Sequence, residues 1–184
     1  MDVAVDPDAR LMLAYARGDL AAFDALYAHH RGPLYGFLLR SVRDRALADE
    51  LFQETWSRVI AARGRYQPQA RFRTWLLQIA HHLVIDDHRR KRPPAAGEEA
   101  EIALAGHPAP EREQPEHALS ESEQRRRLQR AIGQLPDEQR HAIVLRLEND
   151  LSLEEIADVT GVGRETVKSR LRYAMAKLRD VLSP

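Results

Sequence analysis

Apolar positions recur along this chain at helical spacing, in two blocks separated by a segment with little to bury. In the first block, residues 8–29 place Leu11, Ala14 and Tyr15, then Phe23, Leu26 and Tyr27, on one side of a helix interrupted near Gly18. A second apolar run follows at Leu34, Phe37 and Leu38. A third begins after Arg45 with Leu47, Leu51, Trp56, Val59 and Ile60. In the fourth, "RFRTWLLQIAHHLVIDDHRRKR" (71–92), Phe72, Leu76, Ile79 and Leu83 are spaced i, i+4, i+7 and i+11, which draws one face of a helix. No alternating pattern competes for a strand, so this block is predicted to be all-α.

Periodicity fails in "RPPAAGEEAEIALAGHPAPEREQPE", where five prolines, two glycines and many acids leave nothing to form a core. It resumes around residue 116. One long helix is predicted to carry Leu119, Leu128, Ile132 and Leu135, and Pro136 begins the next, with Asp137 and Glu138 in its first turn. The apolar face of that helix is read as Ile143, Val144 and Leu147. The predicted architecture is two small all-α domains, 1–93 and 115–184, joined by a flexible acidic linker at 94–114.

The most specific local pattern is "LSLEEIADVTGVGRETVKSRLRYAMAKL" (151–178). Ser152 followed three residues later by Glu155 is a capping box that starts a short helix. Gly161 ends it, where glycine tolerates a left-handed turn. A second helix begins near Arg164 and buries Val167, Leu171, Ala174 and Leu178, while Ala157 is small where two crossing helices need close approach. Helix, tight glycine turn and helix make a helix-turn-helix, whose second helix enters the DNA major groove. Its outward face carries Arg164, Glu165, Lys168, Ser169, Arg172 and Tyr173. Arginine and lysine can donate to guanine edges and glutamate can accept from cytosine. Arg170 and Lys177 are placed for phosphates, which give affinity without sequence information.

Charge sharpens this reading. The formal net charge is zero, yet residues 1–93 carry 15 Lys/Arg against 11 Asp/Glu, residues 94–123 carry 1 against 8, and residues 124–184 carry 12 against 9. Two basic regions therefore flank an acidic one, the electrostatic footprint of a nucleic-acid binder. The chain has no cysteine, which excludes disulfides, thiol nucleophiles and cysteine-bound zinc. Its first residues, MDVAVDPDAR, have no apolar segment of a signal peptide, and no run approaches the ~18 apolar residues of a membrane span. A cytoplasmic location without membrane insertion is the expectation.

Beyond these local readings, "LPDEQRHAIVLRLENDLSLEEIADVTGVGRETVKSRL", "ADELFQETW" (48–56) and "FRTWLLQIAHHLVIDDHRRKR" (72–92) together resemble bacterial RNA polymerase sigma factors of the extracytoplasmic-function kind. The resemblance covers nearly the whole chain, in matching order and spacing. It implies that residues 1–93 form the domain called region 2, which binds core polymerase and reads and melts the −10 element. Residues 115–184 would form region 4, which reads the −35 element as duplex. It assigns Asp49, Glu50, Gln53 and Glu54 to the largest core polymerase subunits. It gives Arg73, Trp75, His82, Arg89, Arg90, Lys91 and Arg92 to −10 DNA, and Arg164, Glu165, Thr166, Lys168, Ser169, Arg170, Arg172 and Tyr173 to −35 DNA. It further implies an anti-sigma factor as a partner, and neither a catalytic role nor a cofactor. Two positions depart from the family pattern: His82 stands where asparagine is common, and Tyr173 where arginine is common.

Within this frame the basic end of the fourth helix meets phosphates of the separating strands. Trp75 adjoins the core stripe, so both packing and base stacking remain open for it. His82 and Asp86 have a spacing that can hold zinc, but a site needs three or four convergent ligands and none is evident. A helix-turn-helix regulator acting alone is the main rival, and a protein-binding adaptor the next. The linker, if flexible, has a root-mean-square span of ~25 Å and a reach of roughly 70 Å. Promoter elements more than two helical turns apart lie ~70 Å from each other. The free protein is therefore expected to be compact, with core polymerase stretching the linker.

Overall fold

The computed structural model describes residues 6–91 and 121–182. The linker at 94–114, Leu119 and Arg92 lie outside the described residues. All regular structure among the described residues is helical: α1 Pro7–Ala16, α2 Leu20–Val42, α3 Arg45–Ala62, α4 Phe72–Lys91, α5 Glu121–Gly133, α6 Asp137–Leu147, α7 Leu153–Thr160 and α8 Arg164–Leu182. A single 3₁₀ turn, Arg63–Arg65, follows α3.

Aspartates start the first three helices. Asp6, Asp19 and Asp44 each accept a hydrogen bond from a backbone N–H of the first turn, satisfying donors the helix cannot. Asp6 also accepts from Phe72 N at 2.7 Å, so one carboxylate fixes the starts of both α1 and α4. The break between α1 and α2 falls where predicted, at Gly18, whose φ is +104°. The apolar run at Leu34–Leu38 is not a separate helix, however. It continues α2 through Pro33, because Leu26, Leu34, Phe37 and Leu38 are all buried on one face, and that packing outweighs the lost N–H donor.

In the second block, α5 ends at Gly133 and Leu135 lies in the following turn, still only 2% exposed. On α6, Ile143 and Val144 are buried as predicted, but Leu147 is 55% exposed and Leu145 is buried instead. A single-stripe reading fails there because α6 packs against α2 on one side and α8 on another.

The same applies to α4. Its predicted stripe is buried at Phe72, Leu76 and Leu83, with Ile79 partly covered, and it also buries Leu77, Ala80, His81 and Val84. The N-terminal helices cover one flank of α4, and α7 packs against it from the other block. The two blocks thus share one continuous apolar core.

Candidate functional site

On α3, Leu51, Thr55, Trp56 and Val59 turn inward and leave Asp49, Glu50, Gln53 and Glu54 exposed as one acidic face. Asp49 accepts from the Tyr35 hydroxyl at 2.7 Å, a bond that raises the Tyr35 pKa, and Glu54 pairs with Arg58 one turn on at 2.9 Å. Beneath the face lies an aromatic cluster. Trp56 contacts Tyr27 and Phe23 with ring centroids 5.1 and 5.7 Å apart, and Tyr35 meets Phe52 edge-on at 5.7 Å. The arrangement is a rigid platform with acid on its outside, suited to a basic protein partner. Tyr35 was not among the residues singled out in the sequence; its fourteen-residue separation from Asp49 is bridged only by helix packing.

The basic positions of α4 fall at its two ends. From Arg73 to Arg89 the helix rises ~24 Å. Near the start, Trp75 packs edge-on against Tyr66 at 4.9 Å and against Phe72 at 5.7 Å, and it also lines a cleft of about 350 Å³ with Arg65, Gln67, Gln69 and Gln78. Trp75 therefore packs on one side and lines a polar cleft on the other. Burial pushes the Tyr66 hydroxyl up to about 12, so it stays protonated and can donate. Gln67 and Gln69 went unnoticed in the sequence because they sit in an irregular loop with no period, while Gln78 lies on α4.

Midway along α4, exposed His82 lines a groove of about 410 Å³ with Arg58, Ile85, Asp86, Arg89 and Thr160. Among the described residues no group of three or more His, Asp or Glu side chains is placed to hold a metal ion. At the far end Arg89, Arg90 and Lys91 are exposed, with Lys91 2.8 Å from Asp87. Positive charge there also suits the negative end of the helix dipole.

The helix-turn-helix forms as its local signals require. Ser152 Oγ accepts from Glu155 N at 3.2 Å while Glu155 accepts from Ser152 N at 2.9 Å, and Gly161 adopts a left-handed φ of +68°. Val167, Ala174 and Leu178 anchor α8, with Leu171 partly buried. Arg164, Glu165, Thr166, Lys168, Arg172 and Tyr173 are exposed and Ser169 is half-buried. The Arg172 guanidinium lies 5.2 Å from the Tyr173 ring centroid. Arg164 pairs with Glu154 at 2.8 Å. Arg170 stands apart from this outward face: it is half-buried and pairs with Glu138 of α6 at 2.9 Å.

Between the blocks runs a polar seam. Arg73 donates to Asn149 O at 3.0 Å, Thr74 Oγ1 to Glu155 Oε1 at 2.9 Å, and Gln78 Nε2 to Asp158 O at 3.2 Å. Arg40 meets Glu148 at 2.9 Å, and Arg43 donates to Leu135 O at 3.1 Å. Arg140, 2% exposed, donates to Ser41 O, Leu135 O and Asp137 Oδ1 at 3.0, 2.9 and 2.6 Å. His81 of α4 and His141 of α6 meet edge to face, 5.3 Å apart. Among the described residues the two blocks are thus in direct contact along this seam.

Family models match two separate stretches of the chain. A model described as Sigma-70 region 2 matches residues 26–93, and one described as Sigma-70, region 4 matches residues 131–180. The chain is 35% identical to the RNA polymerase sigma factor CarQ of Myxococcus xanthus over 93% of its own length and 95% of that protein's. It is 33% identical to the RNA polymerase sigma-H factor of Pseudomonas aeruginosa, covering 97% and 95% of the two chains. It is 34% identical to the ECF RNA polymerase sigma factor RpoE of Cereibacter sphaeroides, covering 90% and 88%. In fold it resembles CnrH, solved in complex with the cytosolic domain of CnrY, with TM-score 0.67, 24% identity and coverage of 95% and 96%. It also resembles the sigma factor RpoE of Bartonella quintana, solved with the anti-sigma factor NepR, with TM-score 0.64, 22% identity and coverage of 87% and 96%.

Proposed function

The chain belongs to the extracytoplasmic-function family of bacterial RNA polymerase sigma factors, and from that premise we propose how its surfaces divide the work of promoter recognition. As a sigma factor it binds core RNA polymerase and promoter DNA and directs the start of transcription. We assign residues 1–93 to region 2, 94–114 to a linker and 115–184 to region 4. Asp49, Glu50, Gln53 and Glu54 receive the core polymerase. Arg73 and Trp75, with the glutamine-lined cleft beside them, take the −10 strand as it separates, and His82 and Arg89 to Arg92 hold its backbone. The outward face of α8 reads the −35 duplex in the major groove, with Arg164, Lys168 and Arg172 as donors to bases or phosphates.

The observation that carries this reading is the exposure of basic side chains on two separate helices, at the end of α4 and along α8, together with an exposed acidic face on α3. A regulator acting alone has use for only one of the three. We read the protein as a non-catalytic factor that acts in the cytoplasm; no helix among the described residues is long and apolar enough to cross a membrane. Its structural neighbours CnrH and RpoE were solved with CnrY and with an anti-sigma factor, and a partner of that kind fits this chain as well.

The test is run-off transcription with bacterial core polymerase on a library of promoter fragments, with and without the protein. Transcripts that appear only on its addition support the assignment, and their upstream sequences yield both elements. Tight binding to palindromic DNA without any change in start sites would instead support the regulator acting alone.

A further inference from the structure

We propose that a cavity between α4 and the second block is a binding site for a small oxyanion of the phosphate or carboxylate type. The inference does not rest on the promoter assignments. The cavity measures about 170 Å³ and is lined by His81 and Ile85 of α4, Glu138 and His141 of α6, and Arg170 of α8, with Thr160 and Val162 around the turn after α7. Three of its lining groups are buried nitrogens with no hydrogen-bond partner in the protein: His81 Nδ1, His141 Nε2 and Arg170 Nε. The two histidines are more than nine-tenths buried. One unpaired buried nitrogen is already unusual, and three around a single space call for a shared partner.

Donor chemistry selects that partner. Arg170 Nε can only donate, and each neutral imidazole donates from the nitrogen that carries its proton. The Thr160 hydroxyl gives its own proton to Ile156 O at 2.6 Å. Burial holds both rings below the ordinary histidine pKa, and nearby cations add to it, Arg170 at His81 and Arg140 at His141. The space is therefore rich in donors and positive in potential. The carboxylate of the lining, Glu138, meets Arg170 at 2.9 Å from the rim with its side chain 72% exposed, so an anion inside can take its place.

Size and access narrow the class further. A drug-sized ligand needs about 300 Å³ or more, so this space suits a small ion with a few waters and not a nucleotide. The groove beside His82 shares His81, Ile85 and Thr160 with the cavity and so forms its mouth. Arg58 and Arg89 on that groove, opposed by Asp86, draw anions toward it.

Because α4 belongs to one block and α6, α7 and α8 to the other, the site is complete only in the closed state, with the blocks docked as observed. An oxyanion bound there stabilises that state by mass action.

The test uses the full chain and inorganic phosphate, with sodium chloride at matched ionic strength as reference, read by histidine ring NMR signals and by the thermal unfolding midpoint. Phosphate should shift the His81 and His141 signals saturably and raise the midpoint. Acetate acting in the same way supports a site for oxyanions in general, and phosphate acting alone supports a site for tetrahedral ones. His141→Phe should weaken phosphate binding roughly tenfold or more, as expected for one lost hydrogen bond to a charged ligand. His141→Gln, which keeps an N–H donor, should retain most of the affinity. Circular dichroism identifies a variant that fails to fold. Val162→Met narrows the cavity without touching a polar group, so it covers that case and should also weaken binding. If phosphate moves the two signals no more than chloride does, or shifts only exposed histidines such as His82, there is no such site. Wild-type affinity in both His141→Phe and Val162→Met would overturn it as well.

Discussion

Lowering the pH from 7 to 5.5 favours any state in which the two imidazoles at the seam are exposed, and the effect can be worked from their surroundings. His81 and His141 are 6% and 3% exposed and sit edge to face. Burial pushes His81 down to about 4, helped by His82, Arg170 and His88. It pushes His141 down to about 3, helped by His81, Arg140 and His88 and opposed by Asp137. Both rings are therefore neutral in the closed state throughout this range, while in an opened state near the ordinary 6.5 they take up protons. A depressed histidine pKa means that closure loses stability as pH falls through 6.5 towards the closed-state value. Between pH 7 and 5.5 each ring shifts the balance by about 1.2 kcal/mol, so the pair shifts it by about 2.5 kcal/mol, roughly seventyfold in the ratio of closed to open. This is an upper limit, because each ring keeps part of its burial within its own domain. The seam's carboxylates divide. For Asp137 the cost of burial is outweighed by Arg140, and for Glu155 by its bonds from Ser152 and Thr74, so both are held below their ordinary values and stay ionised. Glu148 is pushed up by burial despite its pairing with Arg40, so its protonation favours the closed state and opposes the histidines as the pH falls. Energy transfer between dyes placed at Arg17→Cys and Asp180→Cys, followed from pH 7 to 5.5, should fall in the otherwise wild-type chain and much less in a His81→Gln, His141→Gln double variant. A flat wild-type profile, or one unchanged by the double substitution, would refute the argument.

Two further outcomes follow from the helix-turn-helix. Ser152→Ala removes the acceptor for Glu155 N and loosens the Glu155 side chain, which should cost about 1–2 kcal/mol in denaturant unfolding, whereas a loss below ~0.3 kcal/mol would mean the capping box contributes little. Arg172→Ala, on the exposed face of α8, should cost ~1–3 kcal/mol of discrimination at the −35 element while leaving core polymerase affinity unchanged, measured by run-off competition between matched and mismatched promoters.

Helix class, helix starts and the helix-turn-helix were legible in the sequence because their causes are local. Asp44, Ser152 and Gly161 act within a few residues of themselves, and the spacing of Phe72, Leu76 and Leu83 sets a face on any helix. The residues of the acidic face of α3 came instead from the family resemblance. Pro33 and Leu147 mark where that reasoning stops. Whether a helix survives a proline, or buries its last leucine, depends on which neighbours cover it.

The tertiary structure alone decided what the polar residues do to one another. Arg73 and Trp75 are two residues apart in sequence, yet Arg73 turns to Asn149, seventy-six positions away, and Trp75 to the loop that carries Tyr66. Arg140 reads as an ordinary surface arginine of an amphipathic helix, but it is buried because Ser41 and Leu135 offer it carbonyls. Periodicity reports which side of a helix avoids water. It carries no information on which distant backbone group will take a side chain's hydrogen bonds, since that depends on how already-formed helices dock.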